Sequence, residues 1–485
     1  MQIFNTLSRK KEPFVPIRKG KASIYVCGIT AYDYCHVGHA RSAVIFDVLV
    51  RQLLSLGLEV TYVRNFTDVD DKIINRANKE MVSSEEIAQK YIQAFYEDMD
   101  KLGVLRANLE PRATEHVEDM LQLCRDLIQK KHAYATVSGN VYFRVHSFAG
   151  YGKLSGRSLD ELLSGARVPP DEEKENPLYF ALWKAAKPNE PYWESPWGKG
   201  RPGWHIECSA MSGKYLSLPL DIHGGGQDLI FPHHENEIAQ SEAALGREFC
   251  RYWVHNGFVE INAEKMAKSL GNFKTIREVF SFHLPEVLRF FLLTRHYRTP
   301  IDFSDGAMEE AEKNLKRLYQ GLEAIHLALQ RDKWQPGEAD AAETEEMRKT
   351  AQAWRESMAD DLNTAAALGQ INNLVRQTNR VLENKILSKN EGGRQLLKQA
   401  QDLLQDWGKI LGLLQQEPAA FLEILKDIQL TRRQIDRDRI SVLIEERKAA
   451  RSAKDFTRSD AIRDELAAMG VLLRDTPQGM VWDLE

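Results

Sequence analysis

Hydrophobic and polar positions near the amino terminus follow first the period of a strand and then that of a helix. Ile24-Tyr25-Val26 is a short β-favouring run that we expect to end at Cys27-Gly28. Apolar residues then recur at helical spacing over residues 44–53, and Gly57 is the expected end of that helix. Residues 60–63 are rich in β-branched and aromatic side chains. This order predicts two parallel strands joined by a right-handed helical crossover.

The middle of the chain interrupts this arrangement. Residues 109–201 do not continue the alternation of strand and helix patterns. Here a hairpin is expected to turn at Ser138-Gly139-Asn140, and a charged run at residues 171–175 follows paired prolines. Leu220-Asp221-Ile222 resumes a strand, and Gly224-Gly225-Gly226 is expected to form a turn. We therefore predict a Rossmann-like nucleotide fold that is split by an insertion.

The sequence after Pro300 is predicted to be mostly helical. Long patterned segments at residues 362–382 and 396–414 indicate a helical bundle. From Pro418 further helices follow, and residues 476–479 are expected to form a turn near the end of the chain. This tail is predicted to be a small separate domain.

Composition is typical of an ordinary soluble protein. The chain has 485 residues, which predicts several domains. Its hydrophobic fraction is 43% and its charged fraction 28%, and no stretch is apolar and long enough to span a bilayer. The amino terminus lacks the basic and apolar segments of a secretory signal. We therefore expect a cytoplasmic protein without a membrane partner.

Cysteine content and net charge restrict the partners. Five cysteines in so long a chain form no disulfide framework, so the thiols are expected to stay reduced and available to a metal. The net charge of -5 gives no global attraction to nucleic acid. Any polynucleotide partner must therefore be bound by local basic surfaces.

Two short motifs carry the candidate catalytic chemistry. His36-Val37-Gly38-His39 stands between the predicted strand and helix, where imidazoles and helix-terminal N–H groups face phosphate oxygens. Lys265-Met266-Ala267-Lys268-Ser269 offers two lysines to neutralise a triphosphate as pyrophosphate leaves, and Lys268 is the preferred ATP contact. Each motif alone also fits an ordinary loop. Together they are typical of class I aminoacyl-tRNA synthetases, which couple ATP to amino-acid activation.

A separate set of residues indicates a metal site. Residues 232–237 are predicted to open a helix on which His233 and Glu237, four positions apart, share a face. With Cys27 and Cys208 they make a reasonable zinc set of two thiolates, an imidazole and a carboxylate. The sequence spacing leaves other candidates open. These competitors are Cys35, His205, His234 and Glu235.

Two further segments, one acidic and one rich in glycine, are candidates for a role at the nucleotide site. The carboxylates of residues 68–72 precede a helix, and we interpret them as capping and solvated charge. Residues 224–228 either let the backbone approach a ligand closely or simply form a tight turn. The predicted ATP contacts are His36, Gly38, His39, Gly226, Asp228 and Lys268.

With these positions assembled, the sequence closely resembles the cysteinyl-tRNA synthetases over nearly its whole length. The likeness in the first half lies in residues 25–28, 32–41 and 62–68. In the second half it lies in residues 202–211 and 221–226. The resemblance implies ATP-dependent, AMP-forming ligation of L-cysteine to the 3′ end of tRNA(Cys), with a monomer as the expected assembly.

The resemblance also selects among the metal candidates. It implies that Cys27, Cys208, His233 and Glu237 hold one zinc ion per chain. Zinc would accept the soft thiolate of cysteine, whereas serine offers a harder hydroxyl and alanine no ligand. No hydrolytic editing domain would then be needed. The predicted cysteine pocket consists of Cys27, Gly28, Thr67 and Trp204.

The implied reaction has two steps. The cysteine carboxylate attacks the α-phosphorus of ATP and releases pyrophosphate, and the adenylate then acylates the terminal ribose of the tRNA. Catalysis would come mainly from alignment and charge stabilisation by His36, His39, Lys265 and Lys268, with Mg²⁺ accompanying ATP.

Two positions depart from the family motifs. Val37 replaces the isoleucine of the first motif, and Ala267 replaces the central serine of the second. Both lysines of the second motif remain. The missing hydroxyl at Ala267 bears on the closing energetics of the loop, not on its identity.

Two other functions are compatible with part of the sequence. One is the related ligase that joins cysteine to an amino sugar in mycothiol synthesis, and the other is an inactive zinc protein that only binds RNA. The carboxyl-terminal region resembles the anticodon-side domain of the synthetases, where Arg451 and Lys454 would contact phosphates and Trp482 would stack on a base. This region favours tRNA as the acceptor, and the intact lysines and histidines of the two motifs favour an enzyme.

The predicted fold class is an α/β Rossmann-like catalytic domain split by an insertion, followed by an α-helical bundle and a small mixed C-terminal domain. The expected boundaries are 1–108 and 201–260 for the two catalytic halves, 109–200 for the insertion, 261–305 for the lysine loop and stem-contact region, 306–416 for the tRNA-binding bundle and 417–485 for the anticodon-side domain.

Overall fold

The computed structural model describes residues 1–159, 161, 173–261, 264–266, 273–476 and 479–484. The strands in this part of the chain are β1 (Gln2–Asn5), β2 (Lys10–Pro13), β3 (Lys21–Thr30), β4 (Glu59–Thr67), β5 (Ala133–Ala135), β6 (Val141–Phe143), β7 (Phe180–Ala185), β8 (Gly200–Pro202), β9 (Leu220–Gly226), β10 (Cys250–Asn256), β11 (Val259–Ile261), β12 (Glu264–Lys265), β13 (Ile301–Asp302), β14 (Val471–Thr476) and β15 (Gly479–Leu484).

The α-helices in the same residues are α1 (Val37–Ser55), α2 (Asp71–Glu80), α3 (Ser84–Lys101), α4 (Val117–Gln129), α5 (Trp204–Tyr215), α6 (Glu235–Leu245), α7 (Ile276–Phe280), α8 (Pro285–Leu293), α9 (Asp305–Leu329), α10 (Ala341–Ala359), α11 (Thr364–Glu383), α12 (Glu391–Leu411), α13 (Pro418–Arg433), α14 (Arg437–Ser452) and α15 (Phe456–Ala468). None of these helices combines the length and apolar character needed to cross a membrane.

A four-stranded parallel sheet forms the centre of the amino-terminal part of the chain, in the order β10-β9-β3-β4. The predicted strand–helix–strand unit is β3, α1 and β4. The predicted end of β3 at Cys27-Gly28 was wrong, because the strand continues to Thr30 with a register shift between Val26 and Ile29. At this irregularity the Gly28 N–H donates to the Asn65 side chain at 2.9 Å, so this donor stays paired where the ladder is interrupted.

The three consecutive glycines do not form a turn, contrary to the prediction. They are the last residues of β9, and the chain turns only afterwards, in the short 3₁₀ helix Gln227–Leu229. A side chain on Gly224 would collide with the ring of Phe46, and one on Gly225 would press against Leu229 and His234. The glycines therefore serve close packing over the sheet, not a change of chain direction.

The insertion forms its own antiparallel sheet, in the order β5-β6-β7-β8. The hairpin between β5 and β6 lies where the sequence predicted it, around Gly139, which has a positive φ of 94°. The charged run at residues 171–175 is described only from residue 173 onward, and residues 171 and 172 lie outside the described part. Beyond them, Glu175 accepts two hydrogen bonds from Arg144, at 2.9 and 2.8 Å.

The carboxyl-terminal half is helical, as predicted, with α9 to α12 sharing one apolar core with the parallel sheet. A buried arginine joins the two parts. Arg289 of α8 donates to the carbonyl oxygens of Leu411 at 2.7 Å and Leu102 at 3.0 Å, and it pairs with Asp47 of α1. Helix α1 and the end of α12 therefore contact the same buried side chain.

The last residues form a small mixed unit with its own apolar cluster, which includes Leu430, Leu443, Ile462 and Leu466. Strands β14 and β15 make an antiparallel hairpin in which Thr476 pairs with Gly479. The predicted turn residues Pro477 and Gln478 lie outside the described residues. The domain boundaries drawn from the sequence remain predictions.

Candidate active site

A cleft of about 660 Å³ opens at the carboxyl ends of the parallel strands. This is the edge at which open α/β sheets bind their ligands. Predicted site residues that line the cleft are Cys27, Gly28, His36, Gly38, His39, Trp204, Gly226 and Asp228. The described walls therefore bring both nucleotide and amino-acid candidates to one cavity.

The first motif begins helix α1 and is held in place by its own histidines. The Gly38 N–H donates to Nδ1 of His36 at 3.0 Å, and the His36 N–H donates to Nδ1 of His39 at 3.3 Å. The two rings stack with their centroids 3.8 Å apart. Both imidazoles are thus fixed at the positive end of the helix, where a phosphate is favoured.

The chain after the second motif packs against the first. The Val37 N–H donates to the Lys274 carbonyl at 3.1 Å, and the Ile276 N–H donates to the Cys35 carbonyl at 2.9 Å. Met266 lines the cleft, while Lys268 and the side chain of Lys265 lie outside the described residues. The described backbone thus brings the end of the lysine segment to the histidine motif.

The four predicted metal ligands meet beside the cleft. One donor atom from each of Cys27, Cys208, His233 and Glu237 lies within 4.8 Å of the others. The two sulfur atoms are 3.5 Å apart, and His233 Nε2 is 3.1 Å from Glu237 Oε1, so the predicted helical face is shared. Cys27 lies on β3, Cys208 on α5, His233 in the helical turn before α6, and Glu237 in the first turn of α6.

The chemistry of this cluster fits a borderline-soft cation. Burial raises the pKa of the thiols of Cys27 and Cys208 and lowers that of His233 to about 3, so the imidazole is neutral and offers a lone pair. Burial acts to raise the pKa of Glu237, but attraction by His223 and hydrogen bonds from His223 and Cys27 lower it overall. Glu237 is fully buried, and its Oε2 lies 3.3 Å from His223 Nε2. A cation would compensate this charge and stabilise both thiolates.

His223 is a possible ligand that the sequence analysis missed. Cys27, His223, His234 and Glu237 form a second group of mutually close donor atoms. His223 is buried on β9 just before the glycines, and its Nε2 lies 3.3 Å from Glu237 Oε2. A histidine on a central strand, next to glycines that allow close packing, was the available signal. The first group contains two sulfurs and is the softer donor set, so it suits zinc better.

The competing candidates have other partners. His205 Nδ1 lies 3.0 Å from His233 Nδ1 and so orients that ring. His234 Nδ1 lies 2.7 Å from His255 Nε2. Glu235 accepts N–H groups of the loop at residues 152–155, at 2.9 Å from Gly152 and 2.8 Å from Ser155. Cys35 lies in the apolar core of the sheet, outside both donor groups.

We predict opposite results for the two neighbouring glutamates. Glu235→Gln should keep the bound metal and should destabilise the protein by about 1–3 kcal/mol, because a buried carboxylate that accepts loop N–H groups is neutralised. Glu237→Gln is the matched change two residues away and should lose the metal. Metal per chain by elemental analysis, with thermal unfolding, measures both. Loss of metal from Glu235→Gln would contradict the assignment.

The amino-acid candidates are placed unequally. Trp204 is 36% exposed and lines the cleft, and its ring stacks on that of His233 with centroids 4.1 Å apart, so it links the cleft wall to the metal cluster. Thr67 is buried and does not line the cleft, and its hydroxyl donates to Glu207 at 2.6 Å. Burial raises the pKa of Glu207 well above its usual value. The structure thus adds Glu207 as a partner that supports Thr67.

The acidic segment after β4 caps a helix, as predicted, but its charge is not all solvated, because Asp68 is buried and Asp71 forms ion pairs. Asp70 caps α2 by accepting the Lys72 N–H at 2.9 Å, and Asp68 accepts the Thr114 N–H at 2.9 Å. Lys72 was missed, since it lines the cleft with its ammonium 5.3 Å from the centroid of the Tyr32 ring. In the sequence, Lys72 stands at the start of a capped helix, where charged residues are common, so its type and position did not indicate a cleft residue.

Comparison with protein families covers most of the chain. The model "tRNA synthetases class I (C) catalytic domain" matches residues 13–313. The DALR domain model matches residues 353–415, and the model "Cysteinyl-tRNA ligase anticodon binding domain" matches residues 437–482.

Curated relatives align from end to end. A cysteine–tRNA ligase of Oleidesulfovibrio alaskensis is 63% identical over 484 residues, which is 100% of both chains. One of Nitratidesulfovibrio vulgaris strain Miyazaki F is 62% identical over the same full length. Among solved structures, Mycobacterium tuberculosis methionyl-tRNA synthetase in complex with methionyl-adenylate superposes with a TM-score of 0.60 at 17% identity, covering 82% of this chain and 94% of that one. The last likeness concerns the fold alone.

Proposed function

The chain belongs to the cysteine–tRNA ligase family of class I synthetases, and we propose that Cys27, Cys208, His233 and Glu237 hold a zinc ion through which it selects cysteine. The activity itself is ATP-dependent ligation of cysteine to tRNA. The observation that supports the zinc proposal most directly is the convergence of these four donor atoms beside the cleft. When bound there, zinc supplies a soft acceptor for the substrate thiolate, which serine and alanine cannot match.

The described side chains would position the remaining substrate groups. Trp204, Cys27 and Gly28 line the part of the cleft next to the metal cluster, so the amino acid would lie there. His36 and His39 stand at the start of α1, where their rings and the helix N–H groups would stabilise charge on the phosphates of ATP. Gly226 and Asp228 line the same cleft and are proposed as further ATP contacts. Mg²⁺ would accompany ATP as part of that substrate.

Pyrophosphate exchange with different amino acids tests the selection step. Purified, zinc-loaded protein should exchange pyrophosphate into ATP with cysteine and prefer it to serine and alanine by roughly 10⁴-fold, because a site built for one bond rejects analogues that lack it. Exchange that is equally fast with serine would refute selection by the metal. No exchange with any of the three would refute amino-acid activation.

The acceptor separates this function from that of a cysteine ligase acting on an amino sugar. The anticodon-binding domain match at residues 437–482 favours tRNA. Charging of tRNA(Cys), measured beside ligation to glucosamine inositol, should give product only with the tRNA. The basic residues Arg451 and Lys454 are proposed as phosphate contacts of this region.

The stacking role predicted for Trp482 has a complication. The ammonium of Lys426 lies 4.6 Å from the centroid of its ring, and the guanidinium of Arg437 lies 5.8 Å from it. A base that stacks on this ring would have to displace these cations or use the opposite face. Trp482 therefore remains a proposed base contact. The monomeric state and the cytoplasmic location remain predictions as well.

Removing Lys268, the second lysine of the second motif, should slow adenylate formation. We expect Lys268→Ala to lower kcat for cysteine-dependent exchange by about 100-fold, because the charge that develops on the phosphates loses a fixed cation. Lys274→Ala removes an exposed lysine six positions along the chain and serves as the control. Steady-state exchange kinetics measures both variants. Equal rates for the two would show that Lys268 is not the ATP contact.

A further inference from the structure

Helix α9 carries a buried polar contact to the carboxyl-terminal region that the active site does not explain. Glu312 is 4% exposed and its carboxylate has three donors around it. Gln429 Nε2 and Arg432 Nη2 each donate to Oε1 at 2.7 Å, and His283 Nδ1 lies 3.0 Å from Oε2. We call these four side chains the Glu312 junction.

A second polar contact lies on the same face of the helix. Lys316 Nζ is 2.6 Å from Asp483 Oδ1, and Gln320 Nε2 donates to Asp483 Oδ2 at 3.1 Å. Glu312, Lys316 and Gln320 are spaced by four residues, so they form one stripe along α9. The stripe contacts both α13 and the terminal strand β15. These three side chains therefore form a polar contact surface for the carboxyl-terminal unit.

Helix α13 passes from one apolar core to the other. Phe421 and Leu425 belong to the large core that contains the catalytic sheet, and Leu430 belongs to the cluster of the carboxyl-terminal unit. Gln429 and Arg432, which grip Glu312, lie at the end of the helix that enters the small unit. The Glu312 junction therefore holds the end of α13 from which the carboxyl-terminal unit begins, and so it affects the orientation of that unit.

The other side of the junction leads to the active site. His283 follows α7, and its N–H donates to the Val279 carbonyl at 2.9 Å. The opposite end of α7 holds the first motif, through the hydrogen bonds that join Lys274 to Val37 and Ile276 to Cys35. A helix of five residues is only about 8 Å long. A contiguous set of contacts thus runs from α13 to the start of α1.

A buried carboxylate with directed donors fixes orientation better than it adds stability, since apolar groups of similar volume often stabilise a core equally well. We infer that Glu312 is a positioning residue for tRNA charging, holding the carboxyl-terminal unit so that a tRNA bound there presents its 3′ end to the cleft. The inference rests on the tRNA ligase function and adds to it a residue that acts through Arg432 and Gln429.

The test separates the tRNA-dependent step from the tRNA-independent one. Glu312→Gln should raise KM for tRNA in aminoacylation by about tenfold, the size of one lost charge-assisted hydrogen bond, and leave cysteine-dependent pyrophosphate exchange within twofold of wild type. Glu309→Gln, at an exposed position of the same helix, is the control and should change neither. Parallel losses in both reactions, or unchanged charging, would overturn the inference.

Two further variants keep the test decisive. If Glu312→Gln fails to fold, Lys316→Met removes the less buried contact of the same surface. This variant should also raise KM for tRNA in aminoacylation and leave pyrophosphate exchange unchanged. If Glu312→Gln folds, combining it with Arg432→Gln should add little to the single change, because the two side chains act through one contact. Additive losses would show that they act separately, against the inference. Absence of exchange in the wild-type protein would instead contradict amino-acid activation.

Discussion

Cys208→Ser should lower kcat/KM for cysteine-dependent pyrophosphate exchange by about 10⁴-fold and remove most of the bound zinc. The serine hydroxyl is a poor ligand, so the buried set loses one of its two sulfurs. Without the metal, the substrate thiol loses the bond that distinguishes it, and losses of this size follow when a recognition bond is missing. Zinc per chain by elemental analysis and exchange kinetics on the same preparation measure the two effects together.

Cys124→Ser is the matched control for this change. Cys124 is a buried thiol on α4, outside both groups of close donor atoms. The variant should therefore keep wild-type zinc and exchange activity, even if it is less stable. A Cys208→Ser protein that retained both zinc and activity would refute the metal assignment.

Arg289→Met should destabilise the protein by about 3–5 kcal/mol, the usual range when one partner of a buried ion pair is removed. The side chain of Arg289 is 1% exposed, and it satisfies the carbonyls of Leu411 and Leu102 as well as the carboxylate of Asp47. Methionine fills similar space but leaves these acceptors without their donor. The change should appear as a lower Tm in thermal unfolding followed by circular dichroism.

Two comparisons show whether the effect comes from the buried pair. Arg295→Met makes the same substitution at an exposed position six residues along the chain and should leave Tm nearly unchanged. Asp47 also pairs with Arg51 at 2.8 Å, so it keeps one cation when Arg289 is removed. Adding Asp47→Asn to Arg289→Met should therefore lower Tm by less than the sum of the two single changes, because both changes remove the same buried pair. Losses of Tm that simply add in the double variant would contradict this explanation.

Local patterns predicted the elements well where one interaction dominated them. The run at residues 60–63 became part of β4, and residues 44–53 became part of α1, because apolar periodicity reports directly which side of an element is buried. The two errors beside the cleft concern glycines. Gly28 and Gly224 lie within strands, at positions where neighbouring groups leave no room for a side chain. The preference of glycine for turns is a local property and contains no information about such neighbours.

The candidate site shows the same division. The sequence supplied eight candidate ligands, and Cys27 and Cys208 are 181 residues apart along the chain. Glu235 and Glu237 are equivalent as residue types, yet two positions along a helix place them on nearly opposite faces. One faces the sulfur cluster and the other holds the insertion loop. His223 was missed because its approach to Glu237 depends on how β9 packs against α6.

By itself the sequence determined the class of fold, the pair of signature motifs and the resemblance to the cysteinyl-tRNA synthetases, because periodicity and short motifs are local properties of the chain. The tertiary structure alone decided which donor atoms converge with Cys27, where Thr67 lies relative to the cleft, and that Glu312 meets Arg432. These contacts join residues far apart in sequence. They depend on strand order, helix orientation and close packing, none of which a local pattern encodes.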